Sequence, residues 1–456
     1  MGGVNRSIYF LDKVFQKKNA SPDSLDEFPG KGAAFPFISY QSQDANYKGR
    51  LLGFNVVYHQ IQSEATGRKA VKLQEEGDYV SFTFKQSAKA MVLRYCMPDS
   101  ADGAGITGSL TIYADGKEIG IISLTSKYEW IYNYAGGWPG SNNPSAGAPC
   151  RFFDDSRILF NDTFHLGTEI TLIKEDNVEY YIIDMAEFEQ VPTPLIQPEN
   201  SFSITDFGAV SDGGDCRDTL NDCISAAKSQ GKEVWIPAGN YEVSGSTNFM
   251  STALPCDLRN NGDDSIAVNS ERNQNCTGNT VKNNTIRIPY HASGIAVYGG
   301  NNAIQDNIVY DTIAYGGGIN ISSRFNPTDY HGTTTVKGNV LVRTGSSASA
   351  SERGKNQGSI WLVAWEKDVS GAVFSGNRLI NCVYDGITID GNGNSIFSGI
   401  TFQDDVIEQA EGYGISVFNG AVGSASFTGV KINNASDGKL NNPASFTINK
   451  GRGNNW

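Results

Sequence analysis

Long apolar runs are missing from this 456-residue chain. None approaches the roughly 20 residues a membrane-spanning helix needs. The N-terminal stretch Met1-Gly2-Gly3-Val4-Asn5-Arg6 has no apolar core of the signal-peptide kind, and Arg6 breaks the myristoylation pattern. Positive charge is in short supply: 36 Lys and Arg face 49 Asp and Glu, for a net charge of −13. That balance argues against nucleic acid and anionic membranes and suits a neutral polymer. Cysteines number seven, at positions 96, 150, 216, 223, 256, 276 and 382, without zinc-site spacing. The odd total leaves at least one thiol unpaired. Helix-forming runs are few, whereas Gly reaches 51 beside plentiful Asn, Ser and Thr. The chain is therefore expected to be all-β with many tight turns.

The length predicts two domains, each able to bury a core. Residues 35–190 alternate apolar and polar side chains in short runs, such as Tyr79–Phe84, Ala90–Tyr95, Ser109–Tyr113 and Tyr180–Asp184. Turns such as Asp115-Gly116 separate them, which predicts an antiparallel sandwich. Residues 1–34 read as a tail, and the proline-bearing stretch 191–200 as a linker. Residues 201–456 form the second domain. It opens with a short lead-in and one amphipathic helix over Asp218–Lys228.

Beyond position 262 two repeats alternate. One runs Ser293–Val297, Gly317–Ile321, Asp385–Ile389 and Tyr413–Val417; the other starts at 281, 304, 336, 374, 397 and 427. Separations of 23 to 38 residues, with two strand types per period, predict a parallel β-helix with loops of unequal length. The recurrent asparagines would stack in the turns between coils. At the head of the first repeat stands Asn261-Gly262-Asp263-Asp264-Ser265-Ile266. Like charges side by side are costly, so an adjacent acid pair in a repeat register is a candidate active site. Its bland alternative is a turn cap. N-x-[ST] sequons occur at Asn161, Asn275, Asn283 and Asn320, a motif short enough to arise by chance.

The lead-in I-T-D-F-G-A-V, D-T-L-N-D-C-I-S-A-A and V-W-I-P-A-G-N-Y (204–241) resembles the N-terminal cap of pectate-lyase-like right-handed β-helices. Three further segments, 98–113, 262–270 and 284–312, resemble glycoside hydrolase family 87, the α-1,3-glucanases and mycodextranases. The front segments 40–45 and 77–84 are similar to carbohydrate-binding modules of families 6 and 35. The resemblance implies a sandwich followed by a catalytic right-handed β-helix, secreted, monomeric and acting on α-1,3-glucan. It calls for no cofactor, while leaving room for a structural calcium ion in the sandwich, and for no nucleic-acid or membrane partner. It also implies inversion, with Asp263 as general acid, its pKa raised by Asp264, and Asp264 as a general base.

His291, Tyr298, Arg324, Trp361, Trp365 and Trp138 are the candidate substrate contacts. Arg324 lies with Asp329, Tyr330 and His331 in a long insertion between coils, where cleft walls are built. Trp361 and Trp365 stack on sugar or pack a loop; so do Trp130, Tyr132, Tyr134 and Trp138 ahead of a Gly/Asn/Pro-rich loop. His291 either meets sugar, tunes an aspartate or is structural.

The family's third aspartate lies about one coil, roughly 20–25 residues, before the pair. Here residues 238–244 read Ala-Gly-Asn-Tyr-Glu-Val-Ser, and Glu242 and Asp257 are the only nearby acids. Neither falls in the repeat register, and residues 246–260 show no coil period, so the helix reads as shortened between 245 and 261. An inactive carbohydrate-binding protein is therefore the alternative reading. A polysaccharide lyase or polygalacturonase-like enzyme ranks below it: Arg287-Ile288-Pro289 resembles part of the latter's motif, but no G-H-G accompanies it.

Overall fold

The computed structural model of the chain describes residues 28–33, 37–57, 59–133, 140–191, 193, 195–239, 241–243, 257–270, 276–325, 329–346, 356–418, 420–443 and 445–456. Contacts group these into two compact units: described residues between 191 and 243 form one, and those of 28–190 with 257–456 form the other. The protein is nearly all β. No helix among the described residues is long and apolar enough to cross a membrane.

In the small unit, strands Ser201–Ser203 and Glu233–Trp235 pair in parallel, joined through the helix Arg217–Gln230. Ser203 closes a capping box with Asp206 on the short 3-10 turn Ile204–Phe207. Ile204, Leu220 and Cys223 fill its core with Cys216. No disulfide joins the described cysteines.

In the large unit, residues 37–189 form two main antiparallel sheets of six and five strands. Their strands alternate as the sequence does: Val80, Phe82, Leu93, Ile112, Leu172 and Ile183 point into one shared core.

From residue 257 onward three parallel sheets stack strand on strand, two of seven strands and one of eight. Each coil gives one strand to each sheet, the topology of a parallel β-helix. Inward residues fall in rows, among them Ile266, Ile295, Ile319, Ile360, Ile387 and Ile415 along the second sheet. In the third sheet Phe374, Phe402 and Phe427 stack with centroids 4.5 and 4.7 Å apart. A fully buried side chain of this size contributes about 1.5–3 kcal/mol.

The sharp turns explain the repeat letters. Asn283, Asp306, Gly338, Gly376, Asp404 and Gly429 each adopt positive φ before a first-sheet strand. Only Gly, Asn and Asp enter that region at little cost. The next residue makes the ladder: Asn284 donates to Asn307, Asn307 to Asn339, Asn339 to Asn377 and Asn377 to Asp405, all at 2.8–2.9 Å.

Two sequence readings need correction. The copy starting at Phe397 is out of register, because the eight-residue strand Ile396–Gln403 carries the true rung at Phe402. The stretch 246–260, read as lacking coil character, ends in the strand Asp257–Arg259, which pairs with Thr285–Arg287 as the first rung among the described residues. A three-residue strand is too short to show a period.

Candidate active site

The turn between the first and second sheets holds the acid pair. Asn260 leaves the strand Asp257–Arg259 at φ 51°, and equivalent residues Ile288, Asp311, Arg343 and Asn381 do the same in later coils. Asn261, Gly262, Asp263, Asp264 and Ser265 then lead into the strand Ile266–Asn269.

The antiparallel sheets grip this turn from outside. Asn260 donates to Asp155, and Arg259 pairs with Glu187. Tyr290 fastens the turn to both sides: its N–H donates to the Asn261 carbonyl at 2.8 Å and its hydroxyl to the Cys150 carbonyl at 2.8 Å. Asp155 and Glu187 were not among the predicted site residues. The adjacent acids Asp154 and Asp155 in one strand carried the same signal as Asp263 and Asp264, without a repeat to highlight it.

Asp263 is exposed, and one of its oxygens accepts the N–H of Asp264 at 2.8 Å. Asp264 is half-buried. Its Oδ1 accepts the N–H of Ser293 at 2.7 Å and its Oδ2 the hydroxyl of Tyr298 at 3.1 Å. Burial pushes the Asp264 carboxyl up to about 6, and the neighbouring Asp263 charge adds to this; Ser293, Tyr298 and Arg324 pull the other way. The sequence placed the raised pKa on Asp263. Desolvation, which it could not see, raises Asp264, the residue it cast as the base.

Around Asp264 the structure gathers four of the predicted contacts. Tyr298 is buried, and burial with the Asp264 charge keeps its hydroxyl protonated. Its ring meets Phe325 edge-on at 5.7 Å. The Arg324 guanidinium, buried beside it, lies 4.8 Å from the Trp361 ring and 5.4 Å from that of Trp365. The two indoles stand edge to face at 6.4 Å.

The ring of His291, two residues before Ser293, lies against Tyr315 at 4.8 Å. Trp138 lies outside the described residues. Trp130 and Tyr132 stack with each other at 6.0 Å, donating to the Met97 carbonyl and to Asp99. Tyr330 donates to the Val297 and Ser322 carbonyls, and Asp329 pairs with Lys367 at 2.9 Å. Arg287 is buried, donating to Ser39 and facing Glu187 at 3.6 Å, so its motif is structural.

Glu242 belongs to the small unit, where its carbonyl accepts the Cys216 N–H. Among the described residues no cluster of three His, Cys, Asp or Glu is suited to a metal.

Two family models match the chain: the alpha-1,3-glucanase catalytic domain D1 over residues 34–191 and domain D2 over residues 239–456. A comparison with curated proteins returns no match. Among solved structures, the catalytic unit of the thermostable GH87 alpha-1,3-glucanase from Streptomyces thermodiastaticus strain HF3-3 is 24% identical. It superposes with a TM-score of 0.72 over 93% of this chain and 97% of that one. The Agl-KA catalytic domain is 21% identical, with a TM-score of 0.72 over 92% of this chain and 98% of that one. A GH87 alpha-1,3-glucanase catalytic domain, an aspartate-to-alanine variant in complex with tetrasaccharides, is 21% identical with a TM-score of 0.72, over 94% and 100%. At these identities the superpositions establish the fold, and the two family models establish the kinship. The chain belongs to glycoside hydrolase family 87, the alpha-1,3-glucanases, and is a glycoside hydrolase.

Proposed function

We propose that the chain cleaves α-1,3-glucosidic bonds of α-glucan with inversion, Asp263 acting as general acid and Asp264 as the base that activates water. The observation that carries this reading is the unequal setting of two adjacent carboxyls. Asp263 is exposed, with one oxygen held by the Asp264 N–H, so a protonated carboxyl there can meet a leaving oxygen. Asp264 accepts hydrogen bonds on both oxygens, the pattern of an ionised carboxylate, and is pushed up to about 6. A base with a pKa near working pH takes a proton more readily than an ordinary carboxylate. Inversion then needs only a water admitted between base and sugar.

In this reading the antiparallel sheets are a carbohydrate-binding-module-like sandwich, and the helix-bearing unit is the cap-like lead-in that the sequence suggested. The coils wind right-handed, as parallel crossovers generally do. The substrate is a polymer too large to cross a membrane, so the enzyme works outside the cell, as a monomer.

The test is release of reducing ends from α-1,3-glucan, with proton NMR of the first product. Initial β-anomer supports inversion; initial α-anomer overturns it. Release that survives both Asp263→Asn and Asp264→Asn removes the pair from the mechanism. A second reading, glucan binding without turnover, is favoured by one observation: the stretch 238–244 offers only Glu242 in place of a third aspartate. Binding without release would establish it.

A further inference from the structure

The second parallel sheet carries an unexplained polar set beside Asp264. Ile295, Val297, Ile319, Ile321, Ile360 and Leu362 point into the coil core. The alternate residues Ala296, Tyr298, Asn320, Ser322 and Trp361 therefore face outward. Outward polar residues normally meet water, yet Asn320 and Ser322 are 0% exposed and Trp361 2%. Burial without hydrogen bonds is costly. Even so, both amide atoms of Asn320, the Ser322 hydroxyl and the Trp361 indole N–H have no hydrogen-bond partner among the described residues. Asn320 lies between Ala296 and Trp361 in the sheet register. The set adjoins the reacting centre: Arg324 covers the Trp361 ring, and Tyr298, one row over, donates to Asp264.

We propose that Asn320, Ser322 and the Trp361 indole N–H form the hydroxyl-reading floor of the glucosyl site next to Asp264, and that a sugar ring enters by displacing Arg324 from the face of Trp361. The chemistry matches a neutral sugar. The set offers donors (amide N–H, indole N–H), an acceptor (amide carbonyl) and a hydroxyl that does both, and a sugar hydroxyl donates and accepts together. An indole face flanks them, as sugar rings prefer. The N-x-S motif at Asn320 thereby gains a different meaning: an asparagine with no exposed surface takes no glycan on the folded chain, and its two polar residues serve the cleft. Ala296, on the neighbouring strand, leaves room where a longer side chain would fill the floor.

The inference rests on the hydrolase reading above, and one experiment separates the two. Asn320→Leu keeps the volume and removes the polar atoms. If the amide is left unpaired for the sake of substrate, the full-length variant holds or raises its melting temperature, because an uncompensated polar group is gone. Its kcat/KM on α-1,3-linked gluco-oligosaccharides, per folded enzyme, falls about tenfold or more, as when a hydrogen bond to a substrate hydroxyl is lost. A kcat/KM within about twofold of the parent overturns the proposal whatever the melting temperature does. Should Asn320→Leu fail to fold, Ser322→Ala is measured by the same criterion. If the parent chain shows no turnover, the hydrolase reading fails while tryptophan fluorescence still tests the floor. Oligosaccharide binding lost in the variant supports it. Equal binding by both, or none by the parent, overturns it.

Discussion

Asp264 and Asp385 occupy the same place in the coil, four rungs apart, and the contrast between them separates architecture from chemistry. Each stands two residues before an inward isoleucine of the same row, Ile266 or Ile387. Each uses Oδ1 to accept the backbone N–H of the equivalent residue in the next coil, Ser293 at 2.7 Å or Tyr413 at 2.8 Å. Burial pushes each carboxyl up to about 6. Coil capping and a raised pKa are thus properties of the position. What distinguishes Asp264 is its other surroundings: Tyr298 on Oδ2, Arg324 nearby and exposed Asp263 before it. Asp385 is 2% exposed, and the preceding Tyr384 turns away to donate to the Val56 carbonyl at 3.0 Å. The turn-cap reading fits Oδ1 of Asp264, and the proposed catalytic role rests on the setting of Oδ2.

The largest expected effect breaks this symmetry outright. Asp263→Asn or Asp264→Asn lowers kcat on α-1,3-glucan by about 10²–10⁴-fold, the usual worth of a positioned acid or base. Asp385→Asn, which keeps an acceptor for Tyr413, leaves kcat within about twofold. Reducing-end assays of the three variants decide; a comparable loss in Asp385→Asn would mean that coil geometry, not chemistry, is being measured.

The pH profile sharpens the same contrast. A base must be ionised in the free enzyme, and Asp264 ionises as pH rises through about 6. The logarithm of kcat/KM therefore climbs with pH up to about 6, with a slope near one below that point, and falls again only where the general acid ionises. Asp385→Asn retains the limb, and residual activity of Asp264→Asn lacks it. A profile with no rising limb near pH 6, falling through that value and losing the fall in Asp264→Asn, would assign Asp264 the acid role.

Stability follows, where buried aspartates outside the site show what burying a carboxyl costs when it has no chemical use. Asp405 ends a ladder of four asparagines, and burial pushes its carboxyl up to about 7. The unfolded group titrates near 3.9. Between those values the folded chain holds a proton that the unfolded chain has released, so stability falls as pH rises from about 4 to about 7 and stays lower above. Asp405→Asn removes that loss, on the order of a few kcal/mol at pH 8. Its melting temperature rises by a few degrees at pH 8 and changes little at pH 4. Asp385→Asn follows with a smaller gain. An equal shift at both pH values would mean that packing, not ionisation, is responsible.

Much of this was legible because a β-helix writes its coils into the sequence. The turn residues before each ladder asparagine must adopt positive φ, so Asn283, Asp306, Gly338 and Gly376 announce themselves by type. The acid pair stood out because it interrupted a repeat. What stayed hidden depends on distance through space. The sequence named Tyr298 as a candidate substrate contact but could not set it on Asp264 Oδ2, and it could not weigh the desolvation that raises Asp264. Phe397 misled because Phe-Ser-Gly at 397 copies Phe-Ser-Gly at 374 one strand segment too early. Asn320 appeared only as a sequon, since burial on an outward face has no signature in a single chain.

The smallest effects come from the two tyrosines that differentiate the coils. Tyr298→Phe removes the donor on Asp264 Oδ2 while keeping the ring against Phe325. A hydrogen bond to the ionised carboxylate favours it, so its loss moves the rising limb of kcat/KM to higher pH. Such a charge-assisted bond contributes about 1.5–3 kcal/mol, and part of it survives as water takes the place of the hydroxyl. The shift is therefore below about one pH unit, with a fall in kcat/KM of about 3–10-fold. Tyr384→Phe loses a neutral bond to the Val56 carbonyl, worth about 1 kcal/mol of stability, and leaves the pH limb in place. If both tyrosines act only as packing, neither limb moves; a limb displaced in Tyr298→Phe alone ties that hydroxyl to the ionisation of Asp264.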